Sequence, residues 1–453
     1  MTLLLKNISA AVTCDGSDNV LENIDIFCRD GMIAQIGSDL SVTADRVLDC
    51  SHMLCYPGLI NTHHHFYQIF SRNLPHVQGM QLFDWLRALY KIWQNLDAEV
   101  INLSSKCALG LLMKSGCTTA FDHHYVFPGE SSLELLEAQF SAAEELGARM
   151  YASRGSMNLS EKDGGLPPDS VVQTTDSILK DSMAAVERFH DPKKGSMRMV
   201  ALAPCSPFSA SADLYRESAA LARSLGVRLH THLCETKDEE DYTLSAFGMR
   251  PLEYMRSLDF IGSDVWYAHG IWFNDDELSL LRDTGTAVAH CPASNMKLSS
   301  GAARIPDMLK LGIPVSIAVD GSASNDGSDM IEEMRLGYLL ARVIYGDGAP
   351  TAYDYLKMAT IGGARTLGRD DIGSLEAGKC ADMFLIDRRR LDIAGAHYSP
   401  KTMLAAVGLS GSVDCTVVNG EITVENGRLT KTDEDMLSRQ SEMKIREYLS
   451  SVI

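Results

Sequence analysis

Eight short apolar runs, separated by longer segments with helical apolar spacing, constrain this chain more than any other feature. The runs are LCYPGLINT, CTTAFDHH, ARMYASRG, MRMVALAPC, VRLHTHLCE, DVWYAHG, TAVAHCP and PVSIAVDG. Between them lie stretches such as AEVINLSSKCALGLLMKSG, LELLEAQFSAAEELG and DLYRESAALARSLG, with apolar residues three and four apart. Strands that are apolar nearly throughout belong to a parallel sheet covered on both faces. Eight of them alternating with helices predict an α/β chain, a (β/α)8 TIM-type barrel. The 453 residues leave room for a satellite domain.

The ends of the chain read differently. NIDIFCRD, MIAQIGS and RVLDC near the start alternate apolar and polar residues, punctuated by Asp15-Gly16 and Asp30-Gly31. ADMFLIDRR and CTVVNGEITV, with the turn Asn426-Gly427, repeat that pattern near the end. Residues 1–56 and 371–453 are therefore expected to join in one small sheet domain, with the barrel over 57–370. The last stretch, DEDMLSRQSEMKIREYLSS, is expected to be an exposed terminal helix.

Composition narrows the function. The formal charge of −19 opposes binding to nucleic acid or an anionic membrane. Eleven cysteines without a Cys-x-x-Cys pair predict free thiols in a reducing compartment. The N-terminal stretch lacks the order of a signal peptide, and no window is long and apolar enough to span a bilayer. A cytoplasmic enzyme acting on a small molecule is expected.

Chemistry-bearing side chains fall at the C-terminal ends of the predicted strands, which share one rim in a barrel. His63 and His65 end the first; His230, His232 and Glu235 the fifth; His269 the sixth; His290 the seventh; and Asp320 the eighth. Imidazole and carboxylate are zinc ligands, and a catalytic site keeps one position for water. His63, His65 and His232 supply nitrogens and Asp320 an oxygen. Glu235 is placed to carry a proton to the substrate, and His269 to orient the attacking water or a developing anion.

PGLINTHHH, HTHLCET, AHG, HCPASNMKL and VDGSASND resemble, in order and spacing, the motifs of the amidohydrolase superfamily. GSLEAGKCADMFLID is similar to that superfamily's return to its β-sandwich. The resemblance covers nearly the whole chain. It implies a barrel with a metal at its mouth and a β-sandwich domain formed from both chain ends. It makes His63, His65, His232 and Asp320 the ligands of one Zn2+, a set that also accepts Fe2+. Asp320 is also the general base, Glu235 the proton shuttle and His269 a third catalytic group. Members with two metals carry a lysine on strand four, which MRMVALAPCSPFS lacks. His64 and His230 are assigned to the opposite strand faces, outside the ligand set.

NTHHHFYQ, LFDWLRALYKIW, TTAFDHHYVFPG, SRGSMNLSEKDGGLPPDS and LAPCSPFS resemble the 8-oxoguanine-deaminating members. That implies hydrolysis of the 2-amino group to urate and ammonia. The same chemistry on isoxanthopterin, guanine or a triazine is the alternative, and a non-catalytic binding module a distant one. Gln68 is expected to read the purine, and Trp85, with Trp93, to stack on it. His123 or His124 is expected at the five-membered ring, Arg154 at an oxo group and Cys205 where space is needed. A homo-oligomer is the expected assembly.

Overall fold

The computed structural model describes residues 2–129 and 133–450. Eight strands form the barrel: β1 (Leu59–Asn61), β2 (Cys117–Asp122), β3 (Arg149–Ser156), β4 (Arg198–Pro204), β5 (Leu229–Leu233), β6 (Val265–His269), β7 (Ala287–His290) and β8 (Val315–Ile317). They pair in parallel, in chain order. The segments just beyond β8 and β1 close the ring: Asp320 N–H donates to the His63 carbonyl at 3.1 Å, and Val319 N–H to Asn61 Oδ1 at 3.0 Å. Every residue of β2, β3, β5 and β6 is buried, as coverage on both faces requires. Phe121, Tyr151 and Trp266 fill the barrel interior.

Local sequence sets the helices between the strands. Asp97, Ser211 and Thr236 cap the helices Ala98–Lys114, Ala212–Leu225 and Lys237–Phe247. Gly226, Gly248 and Gly285 stop helices in the left-handed region. The strands then start at one end of the barrel and deliver their C-terminal residues to the other.

Both chain ends build the second, mostly antiparallel sheet. Met53–Pro57 pairs antiparallel with Met383–Asp387, and Thr2–Val12, Val20–Arg29 and Met32–Gly37 continue outward on one side. Cys415–Val418, Glu421–Glu425 and Arg428–Leu429 continue on the other. The run LCYPGLINT, read as one barrel strand, is thus two strands of different sheets. Gly58 is the junction, where a Cβ would lie 2.0 Å from Thr118 Oγ1, so only glycine fits. The terminal helix, Glu434–Tyr448, is not free on all sides. It buries Leu437, Ser441, Lys444 and Tyr448, and Lys444 pairs with Asp97 and Glu99 at 3.1 and 3.0 Å. All eleven cysteines are free thiols. Among the described residues no helix is long and apolar enough to cross a membrane.

Candidate active site

Three imidazoles converge at the mouth of the barrel with their outer nitrogens already engaged. His65 Nδ1 donates to the His123 carbonyl at 2.7 Å, and His232 Nδ1 to the Cys205 carbonyl at 2.7 Å. His63 Nδ1 lies 2.8 Å from His230 Nε2, and His230 Nδ1 in turn donates to the Trp266 carbonyl at 2.9 Å. These partners assign the tautomers: each Nδ1 carries the proton and each Nε2 presents a lone pair. The lone pairs face one another. His65 Nε2 and His232 Nε2 are 3.2 Å apart, and Asp320 Oδ1 is 3.3 Å from His63 Nε2 and from His65 Nε2. His63 Nε2 is buried without a hydrogen-bond partner. Burial holds His63 well below its ordinary value and His232 at about 3, so both rings are neutral. Neutral nitrogens and one anionic oxygen crowded together repel unless a cation sits among them, so the donor set fits a metal ion.

His230 departs from its expected place. It is two residues from His232 and so shares its strand face, one layer deeper in the barrel. From there it orients His63. His64 does turn away, with Nε2 3.0 Å from Ser328 Oγ and Nδ1 accepting from His65 N–H at 2.8 Å.

The carboxylates are held differently. Asp320 Oδ2 accepts from Ser294 at 2.5 Å and from Ser324 at 3.0 Å, which leaves Oδ1 toward the imidazoles. Glu235 has no such cage. Burial pushes its carboxyl up to about 8, and the Asp320 carboxylate adds to the shift. Glu235 therefore holds a proton near neutral pH. Its Oε2 lies 3.6 Å from His269 Nε2, while His269 Nδ1 is 2.9 Å from Asn295 Oδ1. His269 and Asp320 sit at φ +73° and +62°, left-handed conformations that cost a non-glycine residue about 1 kcal/mol or more. Ser294, Ser324 and Asn295 were not singled out from sequence, although they stand in the HCPASN and DGSASN motifs.

Beside the cluster lies a small cavity. His65, His232, Glu235, His269 and Asp320 form its polar floor. Gln68, Trp85, Cys205 and Tyr125 line it with Leu82, Leu86, Phe208 and Leu298. Gln68 Oε1 and Trp85 Nε1 are buried there without partners. Cys205 Sγ is 3.9 Å from His232 Nδ1. Trp93 lies outside the lining; its N–H donates to Ser71 at 3.0 Å, and it packs edge-on behind Trp85 at 5.5 Å. His123 is also outside it. Its ring stacks on His232 at 4.8 Å, among the metal-site imidazoles, and its Nε2 donates to the Ala203 carbonyl at 3.1 Å. Arg154 does not reach the cavity. Its guanidinium donates to the Gly155 carbonyl, to Gln173 at 2.6 Å and to Asp181 at 3.4 Å, and lies over the Phe127 ring. The ion pair accounts for Arg154 and the barrel interior for His123, and neither lines this cavity.

This chain belongs to the amidohydrolase family, whose model ("Amidohydrolase family") matches residues 54–423. It is 42% identical to an 8-oxoguanine deaminase of Pseudomonas aeruginosa, covering 95% of each chain. It is 40% identical to a hydroxydechloroatrazine ethylaminohydrolase of Pseudomonas sp. (strain ADP), covering 99% of this chain and 96% of that one. An atrazine chlorohydrolase from Arthrobacter aurescens TC1, solved in complex with zinc, superposes with a TM-score of 0.94 at 31% identity, over 98% of this chain and 100% of that one.

Proposed function

We propose that this protein is a zinc-dependent aminohydrolase that converts 8-oxoguanine and water to urate and ammonia. The observation that supports a heterocycle with a lactam edge is a pair of cavity-lining residues that each carry a buried, unpartnered polar atom, an acceptor on Gln68 and a donor on Trp85. A buried polar group without a partner is costly, and a ligand with a lactam edge satisfies both kinds at once. The 42% identity to an 8-oxoguanine deaminase supports the same reading.

In this reading His63, His65 and His232 hold the ion through Nε2 and Asp320 through Oδ1. When bound, zinc supplies Lewis acidity that makes water a nucleophile near neutral pH. Asp320 takes the proton of the attacking water. Glu235 gives its proton to the ring nitrogen beside the amino-bearing carbon; the proton held by Asp320 then passes to the amino group, which leaves as ammonia, and the hydroxyl proton returns to Glu235 as the carbonyl forms. His269, fixed through Asn295, orients the incoming oxygen. Ser294 and Ser324 keep Asp320 from rotating away.

A second reading has one observation in its favour. Leu82, Leu86, Phe208 and Leu298 give the cavity an apolar wall that would take the alkyl arm of an N-alkylated triazine, and the 40% identical relative is an ethylaminohydrolase. The test is a panel of 8-oxoguanine, guanine, isoxanthopterin and an N-ethylated hydroxytriazine, assayed for ammonia or ethylamine release with the zinc-loaded protein. Preference for the triazine or the pterin by kcat/KM refutes 8-oxoguanine as substrate and leaves the hydrolytic chemistry intact.

A further inference from the structure

Two helices here begin with an ordinary reciprocal cap. Glu277 accepts from the backbone N–H of its own cap residue, Asn274, at 2.8 Å, and Asp354 from that of Thr351 at 2.9 Å. The Lys237–Phe247 helix departs from this. Its cap is Thr236, whose hydroxyl accepts from Glu239 N–H at 3.3 Å. The Glu239 carboxylate passes over Thr236 to the two residues before it. Oε1 accepts from Cys234 N–H at 2.8 Å, and Oε2 from Glu235 N–H at 3.0 Å. Both oxygens are spent on the stretch of backbone that carries Glu235.

That stretch needs holding. Cys234 has a φ of +55°, unfavourable for a residue with a Cβ. Its carbonyl accepts from Ile271 and Trp272 N–H at 2.8 and 3.1 Å, so β5 is tied here to the segment that follows His269. Glu239 itself is fully buried, an expensive place for a carboxylate whose only duty is to start a helix that Thr236 already caps.

We propose that Glu239 is a positioning residue for Glu235: its two oxygens clamp the Cys234 and Glu235 N–H groups and so fix the direction in which the Glu235 side chain enters the cavity beside His269. The inference rests on the aminohydrolase reading above for the role of Glu235, though not for the clamp itself.

The test is a double-mutant cycle on the zinc-loaded protein. Glu239→Gln turns an amide donor toward one of the two N–H groups. It is expected to lower kcat by about 10- to 100-fold, as small misplacements of a reacting group do, with KM and zinc content unchanged. In a Glu235→Gln background the same substitution is expected to change kcat by less than about twofold, because the group it positions is already disabled. Wild-type kcat in Glu239→Gln, or an equal loss in both backgrounds, overturns the proposal. Should Glu239→Gln fail to fold, Glu239→Asp, which keeps the charge one methylene short, replaces it in the cycle under the same criteria. A wild-type protein inactive on every substrate refutes the aminohydrolase reading instead. The clamp is then read from a crystal structure of the Glu239 variant, and an undisplaced Glu235 side chain overturns it.

Discussion

Replacing His230 with phenylalanine removes the hydrogen bond behind His63. The ring stacks on Trp266 at 4.5 Å and meets Phe121 edge-on at 5.0 Å, so a phenyl group keeps the packing. What disappears is the acceptor for His63 Nδ1–H, 2.8 Å away, together with the donor to the Trp266 carbonyl at 2.9 Å on the far side of the ring. With a metal on Nε2, that proton must stay on Nδ1, buried and unpaired. An ordinary hydrogen bond is worth about 1 kcal/mol net, and an orphaned buried donor costs about 1–3 kcal/mol. Losing a partner behind a metal-binding histidine typically weakens the metal about 10- to 100-fold, or about 1.4–2.7 kcal/mol, which agrees. Zinc affinity is measured by competition with a chelator of known strength, beside a melting curve of the metal-free protein. The expected result is a Kd raised by that factor with little change in Tm. A His230→Phe protein that binds zinc as tightly as wild type refutes both the tautomer chain and the place of His63 among the ligands.

Glu235→Gln should retain zinc yet lose about 10²- to 10⁴-fold in kcat, the usual worth of a general acid–base group; near-normal turnover would contradict the shuttle role. Burial raises the Glu235 carboxyl to about 8 in the metal-free protein, and this couples to stability. Between the ordinary carboxyl value and about 8 the folded metal-free protein holds a proton that the unfolded chain has lost, so stability falls as pH rises across that window. Burial raises Asp122, Glu239 and Glu333 in the same direction, so Glu235→Gln should reduce that slope by one group's share, and identical slopes for wild type and variant in urea melts at pH 5 to 8 would remove the argument. Gly321→Ala places a Cβ 1.9 Å from Gln68 Oε1 with no backbone strain, since φ is −69°; KM should rise about tenfold, and an unchanged KM would mean that Gln68 does not read the ring. Arg154→Met should lower Tm by breaking the pairing with Asp181 and Gln173, yet leave KM within about threefold; a large rise in KM would restore Arg154 to the pocket.

The strands, the helices between them and the rim on which His63, His65, His232, Glu235, His269 and Asp320 stand were legible in the amino-acid sequence. Apolar periodicity and turn residues are local signals, and parallel βα alternation leaves one end of the barrel for the strands' C-terminal residues. The sheet made from both chain ends was legible only as two similar patterns; Leu54 pairs with Ile386 across more than 300 intervening residues, a separation no local signal spans. Beyond that set, which polar side chains meet was not legible. Arg154 and His123 end strands as the ligands do, yet Arg154 is held by Asp181 and Gln173, and His123 lies in the barrel beside His232. A hydrogen-bond partner comes from another strand, and strand stagger and closure decide it rather than spacing along the chain. Sequence thus determined the barrel, its rim and the kinds of side chain on it. The tertiary structure decided which lone pairs face one another, which protons are locked and which groups are left unpaired in the cavity, because those depend on distances between strands that are remote in the chain.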